Sequence, residues 1–279
     1  MKIKISADST CDLPQYIIDE YDIGISPLYV VKGGESLKDG REICQNDIFE
    51  HYRSTGSLCT TAAVSFGDYV DTFGEYLKEY DAVIHFTISS GMSACYQNAL
   101  LAAGELEGIY PVDSANLSVG MGMLVVRAAQ LAAEGKSVQE ILDEIEAMKA
   151  KVEMSFVLDA LEYLHKGGRC SAVAALGANL LKLHPSIEVH EGAMSVGKKY
   201  RGNMEKYVSA YIAEKLAEGG FDTRTAWLVD SGVPEAVKEA AAAQLKAEGG
   251  FEELIFSVAG STICCHCGPN TLGIALLKN

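Results

Sequence analysis

The chain has 279 residues, 48% of them hydrophobic, and a formal net charge of −15 at neutral pH, which fits a globular protein of two ordinary domains. The acidic balance argues against nucleic acid or an anionic membrane surface as a partner, because both require a basic face. No run approaches the ~18 apolar residues of a membrane span.

Met1 to Asp8 turns polar within a few residues, unlike a signal peptide. Five of the eight cysteines, Cys11, Cys44, Cys59, Cys95 and Cys170, are scattered singly, the pattern of a reduced, cytoplasmic protein.

In chain order, β-rich runs at Ile3–Ala7, Ile25–Val31, Ala82–Phe86 and Gly108–Val112 alternate with helical periodicity, which predicts an α/β domain with a largely parallel sheet. Asp12 before Leu13-Pro14 reads as a helix N-cap. Ser65 with Asp68 opens a helix to Leu77, and Ser137 with Glu140 makes a full capping box for a helix reaching Ala150. The run from Asp81 to Ser93 predicts a strand, a Ser/Gly loop and then a helix over Ala94–Leu106. Free N–H groups around Gly91, Met92 and Ser93 would then face an anion, with Gly91 allowing close approach.

The pattern changes near Lys151. A strand at Val152–Leu158, a Gly167-Gly168 turn, a helix over 172–182 and a hairpin turning at Glu191-Gly192 follow. Helices at Asn203–Ala217 and Pro234–Ala247 then alternate with strands at Thr225–Val229, Leu254–Val258 and Leu272–Leu277. The domains divide at 1–155 and 156–279.

Several residues could carry chemistry. Thr60 and Thr61 precede the capped helix and serve as turn or cap hydroxyls. Ser93 can act as both cap and ligand donor. The run Cys264-Cys265-His266-Cys267 lacks the paired spacing of a structural zinc site, since neighbours on an extended run alternate in direction. His266, read on a loop, can donate to an anion. Arg169 after two glycines and Arg201 after the hairpin offer guanidiniums to a carboxylate or phosphate. Ser93, Asp230 and His266 also follow one serine-hydrolase triad order, although Gly91-Met92-Ser93-Ala94-Cys95 lacks the second glycine of a nucleophile elbow.

Taken in order, the segments Asp8–Pro14, Thr61–Ser65, Ile88–Ser93 with Tyr96–Ala99, Asp113-Ser114, Gly167–Ser171 and His266–Pro269 resemble the DegV family of bacterial lipid-binding proteins, among them the fatty-acid-binding subunits of fatty acid kinase. The resemblance implies a DegV-like fold, two α/β domains enclosing an apolar lipid tunnel. It places Thr61, Ser93 and His266 on the carboxylate of a long-chain fatty acid. Arg169 and Arg201 fall near the surface that meets an ATP-dependent kinase subunit, which phosphorylates the carboxylate.

The protein would be a carrier with no catalytic residue, no cofactor besides the bound fatty acid, no metal and no stable membrane anchor. Burying about 14 methylenes at ~0.8 kcal/mol each contributes on the order of 11 kcal/mol before association costs, so the tail would dominate affinity. Ala62-Ala63-Val64, Ala94-Cys95 and Asn270 depart from the family pattern around the head group.

Overall fold

The computed structural model describes residues 1–170 and 183–279; the helix expected over 172–182 lies outside the described residues. The N-terminal domain is built on a parallel sheet of β1 (Ile3–Asp8), β2 (Gly24–Ser26), β6 (Ala82–Thr87) and β7 (Ile109–Asp113), in the order β2-β1-β6-β7. Every residue of β6 is buried, as expected of a strand covered on both faces by helices. A smaller antiparallel sheet, β4-β3-β5, is made by β3 (Tyr29–Lys32), β4 (Glu35–Lys38) and β5 (Thr60–Ala62). The single strand expected over 25–31 is thus two strands in different sheets, split at Pro27, which cannot donate to a ladder.

Helices α1 (Gln15–Glu20), α2 (Gln45–Thr55), α3 (Phe66–Tyr76), α4 (Cys95–Ala103), α5 (Ser118–Ala133) and α6 (Val138–Lys149) complete this domain. Both expected capping boxes form: Ser65 Oγ accepts from Asp68 N at 3.1 Å, and Ser137 Oγ accepts from Glu140 N at 3.3 Å. Strand β8 (Val152–Val157) pairs with the C-terminal sheet, so the change of sheet comes at the turn before Val152. The division expected near residue 155 falls inside that strand.

The C-terminal domain adds α7 (Leu161–Gly167), β9 (His184–His190), β10 (Ala193–Tyr200), α8 (Met204–Ala217), β11 (Thr225–Ser231), α9 (Glu235–Gly249), β12 (Glu253–Val258), α10 (Ser261–Cys267) and β13 (Thr271–Leu277). Its six-stranded sheet runs β10-β9-β8-β13-β11-β12, antiparallel at every pairing except β11–β12. Glu191 and Gly192 both take positive φ, 48° and 78°, as a two-residue hairpin turn demands.

Strand alternation gives this sheet two buried faces. Leu228, Ile274 and Leu276 join Tyr207, Tyr211 and Leu245 of α8 and α9 in one core. Met154, Phe156, Trp227 and Val229 face the other way and join the core of the N-terminal domain, including Leu124 and Val125 of α5. The domain junction is therefore an apolar layer between a sheet and a helix.

Asp12 is not the N-cap read from the sequence. The residue before α1 that holds the cap position is Pro14, whereas Asp12 takes a left-handed φ of 47° and turns its carboxylate toward the other domain. It accepts from the Ser118 hydroxyl of its own domain and, across the junction, from Gly260 N at 2.9 Å.

Candidate functional site

Ser93 is positioned by the loop that joins β6 to α4. The wholly buried Asp8 carboxylate accepts from Tyr69 Oη at 2.6 Å and from Ile88 N at 3.1 Å, which fixes where that loop begins. The loop does not present the anion cradle expected from its sequence. Ser90 N donates to Asp113 Oδ1 (3.1 Å), Gly91 N to Ser89 Oγ (3.1 Å), and Met92 N and Ser93 N to Ser89 O (2.9 and 3.2 Å). Its N–H groups are spent on Asp113 and on the loop's own oxygens.

The close approach allowed by Gly91 serves the other domain. Ser89 Oγ donates to Gly192 O at the hairpin tip at 2.6 Å, and a Cβ on Gly91 would stand 2.9 Å from that same oxygen.

Thr61 lies on β5, not at a strand-to-helix junction, and His266 lies in the last turn of α10, not on a loop. The two meet across the domain junction, with Thr61 Oγ1 2.9 Å from His266 Nε2. Helix α10 is held at its other end by carboxyl groups of the N-terminal domain: Asp12 accepts from Gly260 N, and Asp39 accepts from Ser261 N at 2.8 Å. A carboxyl oxygen there satisfies N–H groups that have no intrahelical partner. The helical course also corrects the extended reading of Cys264, Cys265 and Cys267, all three of which are buried.

Thr61, Ser93, His266 and Arg169 line one cavity, about 800 Å³ of empty space with its mouth included. Its walls are largely apolar, with Ile88, Met92 and Leu117 from one domain and Met154, Phe156 and Val229 from the other. Such a volume and lining suit a small organic ligand. Arg201 is exposed and is not among the cavity residues.

Most other polar groups in the wall are engaged by protein. Ser231 Oγ donates to Gly268 O (2.6 Å), Thr271 Oγ1 to Cys267 O (2.9 Å), and Asp230 accepts from Val233 N (3.0 Å). Ser93 Oγ makes only weak local contacts, donating to Cys95 Sγ at 3.2 Å and accepting from Cys95 N at 3.3 Å. Among the described residues, Thr262 Oγ1 and His266 Nδ1 are buried without a partner, a costly state for a polar atom unless a ligand relieves it.

Thr262 escaped the sequence reading. It precedes His266 by four residues, which puts both on one face of α10, but that spacing has no meaning until the segment is known to be helical.

Burial, and then the Arg169 guanidinium, hold the His266 imidazole down at about 4. It is neutral near pH 7, a hydrogen-bonding group in place of a fixed charge. An unfolded histidine titrates near ~6.5, so between about 6.5 and 4 the unfolded chain takes up a proton that the folded chain refuses. Stability therefore falls as pH drops through that window. Thermal unfolding across it should show a steeper loss for the native chain than for His266→Gln; parallel losses would locate the acid sensitivity elsewhere.

The triad order does not become a triad. Ser93, Asp230 and His266 all line the cavity, yet Nε2 of the imidazole meets Thr61, the serine hydroxyl meets Cys95, and Asp230 pairs with Val233 N and with Lys238 at 3.6 Å. A relay requires serine to base and base to carboxylate in one chain of hydrogen bonds. Neither link forms.

The fold and cavity thus define a two-domain α/β protein with an apolar, ligand-sized space at its domain junction. A sequence model of the family described as "Uncharacterised protein, DegV family" matches residues 2–279. The chain belongs to the DegV family. It is 33% identical over 288 residues to a fatty acid-binding protein of Thermotoga maritima, covering 99% of this chain and 98% of that one.

Two solved structures are similar over the whole chain. A DegV family protein from Thermus thermophilus, described for its fatty acid binding, superposes with a TM-score of 0.93 at 32% identity, covering 100% of both chains. DegV of Bacillus subtilis, described as a fatty acid binding protein, superposes with a TM-score of 0.84 at 28% identity, again covering 100% of both. Among the described residues, no helix is long and apolar enough to cross a membrane.

Proposed function

We propose that this protein binds a long-chain fatty acid with its tail in the junction cavity and its carboxylate at Thr61, Ser93 and His266. The observation that carries the reading is the cavity itself, an apolar space whose wall holds a neutral imidazole and an unpartnered threonine hydroxyl. Thr262 joins the head-group set, since a ligand oxygen would satisfy the hydroxyl that the protein leaves unmet. The fatty-acid-binding descriptions of its relatives support the same ligand class.

The protein acts as a cytoplasmic carrier and presents the carboxylate to an ATP-dependent kinase subunit, which forms the acyl phosphate. Arg169 at the cavity and exposed Arg201 are the candidates to face that kinase. The lack of a linked Ser93–His266–Asp230 relay favours presentation over hydrolysis.

Denaturing the purified protein and extracting it into organic solvent should release about one fatty acid per chain, read by mass spectrometry. Acyl phosphate should then form only when the kinase and ATP are added. Protein from lipid-replete cells that yields no fatty acid overturns the binding reading; turnover of an activated acyl ester that disappears in Ser93→Ala replaces it with the hydrolase.

A further inference from the structure

The two hydroxyls assigned to the carboxylate stand on different supports. Ser93 lies in the loop after β6, two residues before α4 begins at Cys95, whereas Thr61 is the middle residue of β5. Strand β5 is three residues long and pairs with β3 alone, at the edge of the small sheet. A strand so short, bonded on one side, fixes its side chains weakly.

The chain beyond β5 is tied to α4. Asn98 Nδ2 donates to Val64 O at 2.7 Å. The backbone of the same buried Val64 bonds the Cys95 thiol, and that sulfur also takes the Ser93 hydroxyl at 3.2 Å. Cys95 and Asn98 are three residues apart, which puts them on one face of the helix. Together they grip the segment that leaves Thr61, while the helix that carries them starts from the Ser93 loop. Asparagine is a weak helix former, so its place inside α4 answers to this contact and not to propensity.

We propose that Asn98 is a positioning residue for the head group: by holding the Val64 carbonyl it sets the separation of the Thr61 and Ser93 hydroxyls, which have to meet the two oxygens of one carboxylate. The inference rests on the fatty-acid reading above. Hydrogen bonds to an ionised group are directional and weaken steeply when a donor is displaced. Burial of the tail is non-directional and does not depend on that separation. The clamp therefore governs selection of the head group and leaves tail affinity alone.

Labelled palmitate and labelled hexadecanol share a tail and differ at the head, one presenting two oxygens and the other a single hydroxyl. Asn98→Ala should lower palmitate affinity by about tenfold, the worth of one charge-assisted hydrogen bond, and leave hexadecanol nearly unchanged. Asn98→Asp keeps the size, removes the donor and should do the same. In bound palmitate the NMR signal of a carboxyl label should move in both variants, and that of a methyl-end label should stay.

Equal losses for acid and alcohol overturn the proposal, as does undiminished palmitate affinity in a folded variant. Unfolding of both variants makes the Asn98 contact one that holds the fold, and overturns it as well. A native chain that binds no palmitate and releases no fatty acid overturns the ligand reading, and this proposal with it.

Discussion

Gly273→Leu should weaken fatty-acid retention by about 100-fold and leave the fold in place. Gly273 lies in the cavity wall on β13, and a Cβ there would stand 3.0 Å from Val229 Cγ1 and 3.2 Å from Met154 Cε. Those neighbours need yield only a few tenths of an ångström to admit the Cβ. The remaining methyl groups have to project into the cavity, where they exclude three or four methylenes of the tail.

At ~0.8 kcal/mol for each buried methylene, the loss is about 3 kcal/mol, or two decades in affinity. Displacement of a labelled fatty acid measures the affinity, and circular dichroism checks the fold. Undiminished retention in a folded variant would take the tail out of this groove.

The second large effect is on stability. Asp12→Ala should destabilise the protein by about 3 kcal/mol, because it leaves the buried Ser118 hydroxyl and the part-buried Gly260 N–H without an acceptor, at roughly 1–3 kcal/mol each. Alanine also tolerates the left-handed φ of 47° poorly, whereas asparagine adopts it readily. Asp12→Asn should therefore cost much less.

Burial raises the Asp12 carboxyl to about 8, with the Ser118 and Gly260 hydrogen bonds opposing the shift and the Asp39 charge adding to it. An unfolded aspartate titrates near ~3.9. Between about 4 and 8 the unfolded chain has lost a proton that the folded chain keeps, so this group makes stability decline as pH rises through that window. The sign is opposite to that of His266. Denaturant unfolding should show the decline in the native chain and its absence in Asp12→Asn; an equal decline in both would assign it to other groups.

The helix that carries His266 gives the Asp12 prediction a functional side. Asp12 and Asp39 hold the first turn of α10, and Thr61 meets the last. Loss of the Asp12 contact should loosen the imidazole, so Asp12→Ala should also retain fatty acid less well than Asp12→Asn.

Features whose partners lie a few residues apart were legible in the chain. The boxes Ser65/Asp68 and Ser137/Glu140 formed as read, because each closes over three residues. The hairpin turn at Glu191-Gly192 formed for the same reason. Helix α5 gave no such signal: eleven of its residues are buried, so no polar stripe marks an amphipathic period. Helix α10, only seven residues long and rich in cysteine, was read as an extended loop.

Asp12 was misread for a different reason. A local cap was the best partner within reach of its sequence neighbourhood, while the true partners lie 106 and 248 residues away. The Ser/Gly loop after β6 shows the same limit. Its composition pointed to free N–H groups, yet Asp113 consumed one and the loop's own carbonyl and hydroxyl consumed the others.

The sequence by itself determined the family and the α/β class, and through the family resemblance it named Thr61, Ser93, His266 and Arg169. Only the tertiary structure decided that these four side chains line one space, that Thr61 bonds the imidazole and that Thr262 faces the same cavity. Local hydrogen bonds and periodicity depend on residues a few positions apart and are written in the chain. A cavity is what remains when two distant surfaces fail to fill the layer between them, and that remainder depends on the packing of both domains at once.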